Sequence, residues 1–125
     1  MTQKILVIED NEQNMYLIHF LLESQGYIVF EAENGLIGID KAVNEHPDII
    51  LLDIQLPEMD GYEIARIIRK TEGIDKIPII AVTSYAMAGD KEKILAAGAT
   101  DYIEKPINPA TFVDQIKIHF PDGKK

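Results

Sequence analysis

Hydrophobic residues along this chain follow two alternating patterns, which predict strands and helices in turn. Short apolar runs of strand length occupy residues 4–10, 27–32, 48–53, 77–84 and 101–106. Between these runs, apolar residues recur every three or four positions, as they do on one face of a helix. The helical stretches are 11–25, 36–45, 61–70, 90–97 and a last one that Asn108 is expected to cap. The pattern therefore predicts five strands that alternate with five helices.

Strands that alternate with helices of this size indicate an α/β fold. Each strand–helix–strand unit places its two strands in parallel, so we expect one parallel sheet with helices on both faces. Such sheets bind ligands at the carboxyl ends of their strands. We expect a single domain over residues 1–125, with a core of about 4–119 and a tail of 120–125.

Reactive side chains stand at the carboxyl ends of four predicted strands. Glu9 and Asp10 end the first strand, Asp53 the third, Thr83 lies near the end of the fourth, and Lys105 near the end of the fifth. Carboxylates that converge on one edge of a sheet repel one another unless a cation neutralises them. Mg²⁺ prefers oxygen ligands and often binds one or two carboxylates together with a phosphate. The pattern therefore predicts a Mg²⁺ site, which could also take Mn²⁺, beside a phosphoryl group that Lys105 and Thr83 contact.

Each of these residues, taken alone, also fits an ordinary structural role. An aspartate after a buried strand often caps a helix or a turn, and a lysine before a proline can simply be solvated. The three histidines, at positions 19, 46 and 119, lie on separate predicted helices without metal-ligand spacing, and we expect them to be surface or packing residues. The convergence of several strand ends is what favours a functional site.

Four motifs give the chain a specific resemblance. They are "VIEDN", "LLDIQLPEMDG", "AVTS" and "YIEKP". With them, the chain from about residue 4 to residue 119 resembles the receiver domain of two-component response regulators. It is most similar to stand-alone receivers of the DivK type and is also similar to the receivers of hybrid histidine kinases. The resemblance implies a flavodoxin-like (βα)5 three-layer sandwich around a five-stranded parallel sheet.

The resemblance also implies a role for each motif residue. Asp53 is implied to be the phosphoacceptor, and Lys105 is implied to contact the phosphoryl group. The resemblance also implies a cis Lys105–Pro106 peptide bond, which would point the lysine into the site. The implied Mg²⁺ ligands are Glu9, Asp10, Asp53 and the backbone carbonyl of Gln55, and the implied switch residues are Thr83 and Tyr102.

The implied function is a phosphorylation-dependent signalling switch rather than an enzyme. The phosphoryl group would come from a sensor histidine kinase or a histidine phosphotransfer protein, and the receiver would assist its own Mg²⁺-dependent phosphorylation and dephosphorylation. The signal would pass to a downstream protein through the face formed by helix four, strand five and helix five. Because Gln55 and Tyr85 are expected to border the phosphoryl group, we expect a long-lived phosphorylated state.

Composition narrows the partners further. The 125 residues carry a formal net charge of −9 and include no cysteine. Negative charge disfavours nucleic acid, because proteins bind it mainly through cationic contacts to phosphates. Apolar runs of strand length are far shorter than the roughly 20 residues that a membrane-spanning helix needs. We therefore expect a cytoplasmic protein without a nucleic-acid or membrane partner.

Three other functions share parts of this pattern. Haloacid dehalogenase-like phosphatases use an aspartate nucleophile and Mg²⁺, but they place a second aspartate where this chain has Gln55, which cannot deliver a proton. A flavin carrier would need a loop rich in small and hydroxyl residues after the first strand, whereas "EDNEQN" is acidic. An inactive receiver would lack one of the motif residues, and none is missing. A receiver excised from a hybrid kinase remains an open alternative.

Overall fold

The computed structural model describes residues 2–56, 60–84 and 88–120. Its strands are β1 (Lys4–Ile8), β2 (Ile28–Ala32), β3 (Ile49–Asp53), β4 (Ile79–Thr83) and β5 (Asp101–Glu104). Its helices are α1 (Glu12–Glu23), α2 (Gly35–Glu45), α3 (Gly61–Arg69), α4 (Ala88–Ala96) and α5 (Phe112–Lys117). The predicted alternation of strands and helices is confirmed. In the described ranges, no helix combines the length and the apolar character needed to cross a membrane.

All five strands pair in parallel in the order β2-β1-β3-β4-β5. The chain moves outward in one direction from β1 to β2 and then in the other direction from β3 to β5. A change of direction between β1 and β3 leaves a crevice at the carboxyl ends of these two strands, where open α/β sheets bind ligands. The order of the strands thus places the ends of β1 and β3 beside this crevice.

Both faces of the sheet are covered. On one face, Leu6 and Leu52 pack in a core cluster with residues of α2, α3 and α4, such as Ile64. On the other face, Ile5 and Leu51 pack with residues of α1 and α5. Successive side chains of a strand point to opposite faces, so strands covered on both faces are apolar throughout. This explains why β3 is buried along its whole length.

One predicted boundary is wrong. Asn108 does not cap α5, because the helix begins at Phe112 with Thr111 at its N-cap position. Instead, the Asn108 side chain accepts the Ala110 N–H at 3.0 Å, and its carbonyl accepts the N–H groups of Thr111 and Phe112. Asn108 therefore organises a turn that precedes the helix.

Phe120 belongs to the core rather than to the tail. Its side chain is 3% exposed, and its ring centroid lies 5.2 Å from that of Tyr27. The packed part of the chain therefore extends to residue 120, and residues 121–125 lie outside the described ranges.

Candidate functional site at the carboxyl edge of the sheet

Three carboxylates meet where β1 and β3 end. One carboxylate oxygen from each of Glu9, Asp10 and Asp53 lies within 4.8 Å of the others. Asp53 is the last residue of β3, whereas Glu9 and Asp10 directly follow β1, its neighbour in the sheet. Glu9 and Asp53 are buried, and Asp10 is exposed. The predicted proximity of these three side chains is confirmed.

In the part of the chain that the structure describes, hydrogen bonds satisfy only one of the two carboxylate oxygens of Glu9. Its Oε2 accepts the Asn11 N–H at 3.1 Å, whereas its buried Oε1 has no hydrogen-bond partner among the residues that the structure describes. Burial, and then repulsion by Asp53, raise the pKa of Glu9 to about 7. A buried carboxylate oxygen without a donor, close to two further carboxylates, is a suitable ligand for a hard divalent cation. The residues present therefore fit Mg²⁺.

Lys105 provides positive charge beside the two buried carboxylates. Its Nζ lies 3.4 Å from Asp53 Oδ2 and 3.6 Å from Glu9 Oε1. Its backbone N–H donates to the Thr83 carbonyl at 2.8 Å, which holds the chain after β5 beside the end of β4. The Lys105–Pro106 peptide bond is cis. Asp53 also accepts the Gln55 N–H on Oδ1 at 2.9 Å, so its two oxygens have different surroundings.

The two residues implied to act as a switch lie at different positions along their strands. Thr83 is the last residue of β4 and is buried at the same edge as Asp53. Tyr102 pairs with Ala81, two residues before Thr83, and its half-buried ring packs against the core. The Lys91 Nζ lies 5.3 Å from the centre of the Tyr102 ring. Tyr102 therefore contacts α4 rather than the carboxylates.

Ile54, directly after Asp53, packs tightly against the start of α3. The Asp60 side chain accepts the Glu63 N–H at 2.9 Å and caps this helix. The Gly61 N–H donates to the Ile54 carbonyl at 3.0 Å, and a Cβ on Gly61 would lie only 2.5 Å from the Ile54 Cα. Only glycine fits this approach, which fixes the backbone that follows Asp53.

Sequence reasoning missed one contact of this site. The Gln55 side-chain oxygen accepts the Ser84 N–H at 3.3 Å and so connects the segment after β3 to the segment after β4. The contact could not be predicted, because it depends on the register between the two strands. The proposed metal-binding role of the Gln55 carbonyl stays a prediction, and Tyr85 lies outside the described residues.

The acidic edge is open to solvent. A cavity of about 420 Å³ between α1, β2 and α2 is lined by Glu9, Asp10, Tyr16 and Lys41, among others. Ions can therefore reach Glu9 and Asp10 from solvent. Two of the three histidines pair with acidic side chains other than these carboxylates: His19 contacts Glu31 at 2.6 Å and His119 contacts Asp101 at 2.8 Å.

Comparison with known proteins identifies the family. The response regulator receiver domain family matches residues 5–117. The chain belongs to this family. It is 43% identical over 123 residues to the polar-differentiation response regulator DivK of Brucella ovis, an alignment that covers 98% of this chain and 100% of that protein. The resemblance to DivK-type receivers is thus confirmed, and the family places the chain in two-component signalling rather than among phosphatases.

Solved structures of the family share the fold. The chemotaxis protein CheY4 of Vibrio cholerae superposes with a TM-score of 0.92 at 27% identity, over 96% of this chain and 100% of that chain. A receiver domain of a sensor histidine kinase from Pseudomonas aeruginosa superposes with a TM-score of 0.87 at 38% identity, over 95% and 98% of the two chains. That structure has a magnesium ion coordinated in the active site cleft. The predicted flavodoxin-like fold is confirmed.

Proposed function

We propose that this receiver is a phosphorylation-dependent switch in which Asp53 accepts a phosphoryl group from a histidine kinase or a histidine phosphotransfer protein. The observation that carries the proposal is the meeting of Glu9, Asp10 and Asp53 within 4.8 Å, with Lys105 Nζ 3.4 Å from Asp53. A carboxylate nucleophile, further carboxylates for a metal ion and a lysine together form a suitable site for phosphoryl transfer.

Mg²⁺ is the cation that best fits this edge. Glu9, Asp10, Asp53 and the backbone carbonyl of Gln55 would hold it. When bound, it neutralises negative charge on the carboxylates and on the phosphoryl group. The buried Glu9 Oε1 without a hydrogen-bond partner in the described ranges supports this assignment, as does the magnesium in the Pseudomonas aeruginosa receiver.

Asp53 and Lys105 share the transfer itself. An oxygen of Asp53 forms a bond to phosphorus while the phosphorus–nitrogen bond of the donor histidine breaks, and the imidazole leaves with the electron pair of that bond. Lys105 offsets the charge brought beside Asp53 and contacts the new phosphoryl oxygens. The burial of Asp53 strengthens these electrostatic contacts.

Thr83 and Tyr102 transmit the change to a protein partner. Thr83 contacts the phosphoryl group at the end of β4, and Tyr102 changes position beside α4, which biases a two-state equilibrium. The output surface is the face formed by α4, β5 and α5, and its partner is a downstream signalling protein in the cytoplasm. Gln55 and Tyr85 favour a long-lived phosphorylated state, reset by reverse transfer to a partner histidine.

Intact-mass measurement after incubation with acetyl phosphate and Mg²⁺ tests the proposal. We expect one added phosphate on the wild type and none on Asp53→Asn, because the amide is not a nucleophile for this transfer. Asp40→Asn, which changes an exposed aspartate of α2, is the matched control and should behave as wild type. Phosphate uptake by Asp53→Asn equal to that of the wild type would overturn the assignment.

A further inference from the structure

The Gln55 side chain crosses the crevice above Asp53. Its oxygen accepts the Ser84 N–H at 3.3 Å, while its own backbone N–H donates to Asp53 Oδ1 at 2.9 Å. The strand register brings the two residues close, because Asp53 pairs with Val82, and Gln55 and Ser84 each lie two positions further along the chain. Gln55 therefore contacts both the proposed phosphoacceptor and the residue after Thr83.

The Ser84 N–H is a donor that a phosphoryl group on Asp53 could use. It directly follows Thr83 at the carboxyl end of β4, and backbone N–H groups at such edges bind phosphate oxygens. A charged oxygen forms a hydrogen bond about twice as strong as a neutral one. A phosphoryl oxygen would therefore displace the neutral amide oxygen of Gln55 from this donor.

We propose that the Gln55 side chain is a positioning residue that acts as a neutral latch. In the unphosphorylated protein its oxygen occupies the Ser84 N–H and ties the segment after β4 to the segment after β3. Phosphorylation transfers the Ser84 N–H to a phosphoryl oxygen, so the Gln55 side chain loses its partner and Ser84 is held by the phosphoryl group instead. This inference rests on the proposed phosphorylation of Asp53.

Solvent exchange of the Ser84 amide, followed by NMR in the Mg²⁺-free protein, tests whether the latch forms. Gln55→Met keeps the length of the side chain but removes the acceptor, so the Ser84 amide should exchange about 3- to 10-fold faster. Gln55→Glu keeps an acceptor and should retain the protection. Gln25→Met, an exposed position in the turn after α1, is the matched control and should leave Ser84 unchanged. Equal exchange in the wild type and Gln55→Met would overturn the latch.

Titration with beryllofluoride and Mg²⁺, a mimic of the phosphoryl group, tests whether the latch competes with phosphorylation. Gln55→Met should bind the mimic about 3-fold more tightly or better, because no protein acceptor must leave Ser84. Weaker or unchanged binding would overturn the competition. Gln55→Asn, whose amide is one methylene shorter, should repeat the result if the methionine variant does not fold. Absence of saturable binding to the wild type would instead count against the proposed function, and the exchange measurement would still decide whether the latch forms.

Discussion

Two charged side chains lie at opposite ends of the parallel strands, and they differ in how fully hydrogen bonds satisfy them. Arg69, at the end of α3, lies near the amino ends of β4 and β5, and Glu9 lies at the carboxyl end of β1. The guanidinium of Arg69 is surrounded by acceptors. The carboxylate of Glu9 has one buried oxygen without a hydrogen-bond partner in the described part of the chain, and its neighbour Asp53 repels it.

Arg69 connects three segments through backbone carbonyls. Its Nε donates to the Gly98 carbonyl at 2.9 Å, and its Nη1 donates to the Ile77 carbonyl at 2.7 Å and to the Asp75 carbonyl at 3.1 Å. Gly98 has a φ of +116°, and a Cβ there would lie 2.7 Å from the Arg69 Cγ, so glycine is needed for both reasons. Arg69 thus fastens α3 to the segments that lead into β4 and β5.

The difference shows which edge is built for a ligand. At the amino edge, Arg69 satisfies carbonyls that would otherwise be left without donors, and the result is structural. At the carboxyl edge, Lys105 offsets only part of the repulsion between the carboxylates, and a bound divalent cation would relieve the rest. An edge that destabilises the free protein and is stabilised by binding is typical of a functional site.

Arg69→Leu should have the largest effect on stability. It leaves several carbonyls without donors, so we expect the free energy of unfolding to fall by about 2–4 kcal/mol. Arg66→Leu, an exposed position on the same helix, should change it by less than about 0.5 kcal/mol. Chemical denaturation measures both. Equal losses in the two variants would show that the contacts of Arg69 do not provide the stability assigned to them. The affinity for Mg²⁺ should be unchanged in both variants.

Glu9→Gln should act in the opposite direction. Because the substitution removes a buried charge beside Asp53, the Mg²⁺-free protein at pH 8 should gain about 1–3 kcal/mol of unfolding free energy. The same variant should be stabilised less by Mg²⁺ than the wild type is. Glu92→Gln, on the exposed side of α4, controls for the loss of one charge. A destabilised Glu9→Gln without Mg²⁺ would mean that Glu9 is a structural cap, not a metal ligand.

Glu9 should also make the stability of the Mg²⁺-free protein depend on pH. Its pKa is about 7 in the folded protein against 4.5 for the ordinary group, so the folded state holds a proton that the unfolded state releases between these values. The free energy of unfolding should therefore fall as the pH rises from about 4.5 to about 7, by at most about 1.4 kcal/mol per pH unit.

Denaturation of the wild type and Glu9→Gln across this range isolates the contribution of Glu9. Their difference should be small below pH 4.5, grow up to about pH 7 and then remain constant. A difference that does not vary with pH would show that Glu9 is not the group that titrates.

Much of the site could be predicted because its residues follow strand ends. Glu9, Asp53 and Lys105 each follow an apolar run, and parallel strands bring such positions to one edge. The Gln55–Ser84 bridge could not be predicted, because nothing near either residue in sequence indicates the other. The contacts of Arg69 were missed for the same reason, since Gly98 lies 29 positions away.

The sequence by itself determined the α/β alternation, the parallel sheet and the edge at which the carboxylates stand. These features depend on the spacing of apolar residues and on the residues that end each helix or strand. Both act over a few neighbouring positions, so the sequence alone is enough to predict them. Only the tertiary structure decided that Glu9 is buried while Asp10 is exposed and that Gln55 reaches Ser84. Burial and register are set by residues distant in the chain, and they decide which charges are desolvated and which donors are free for a ligand.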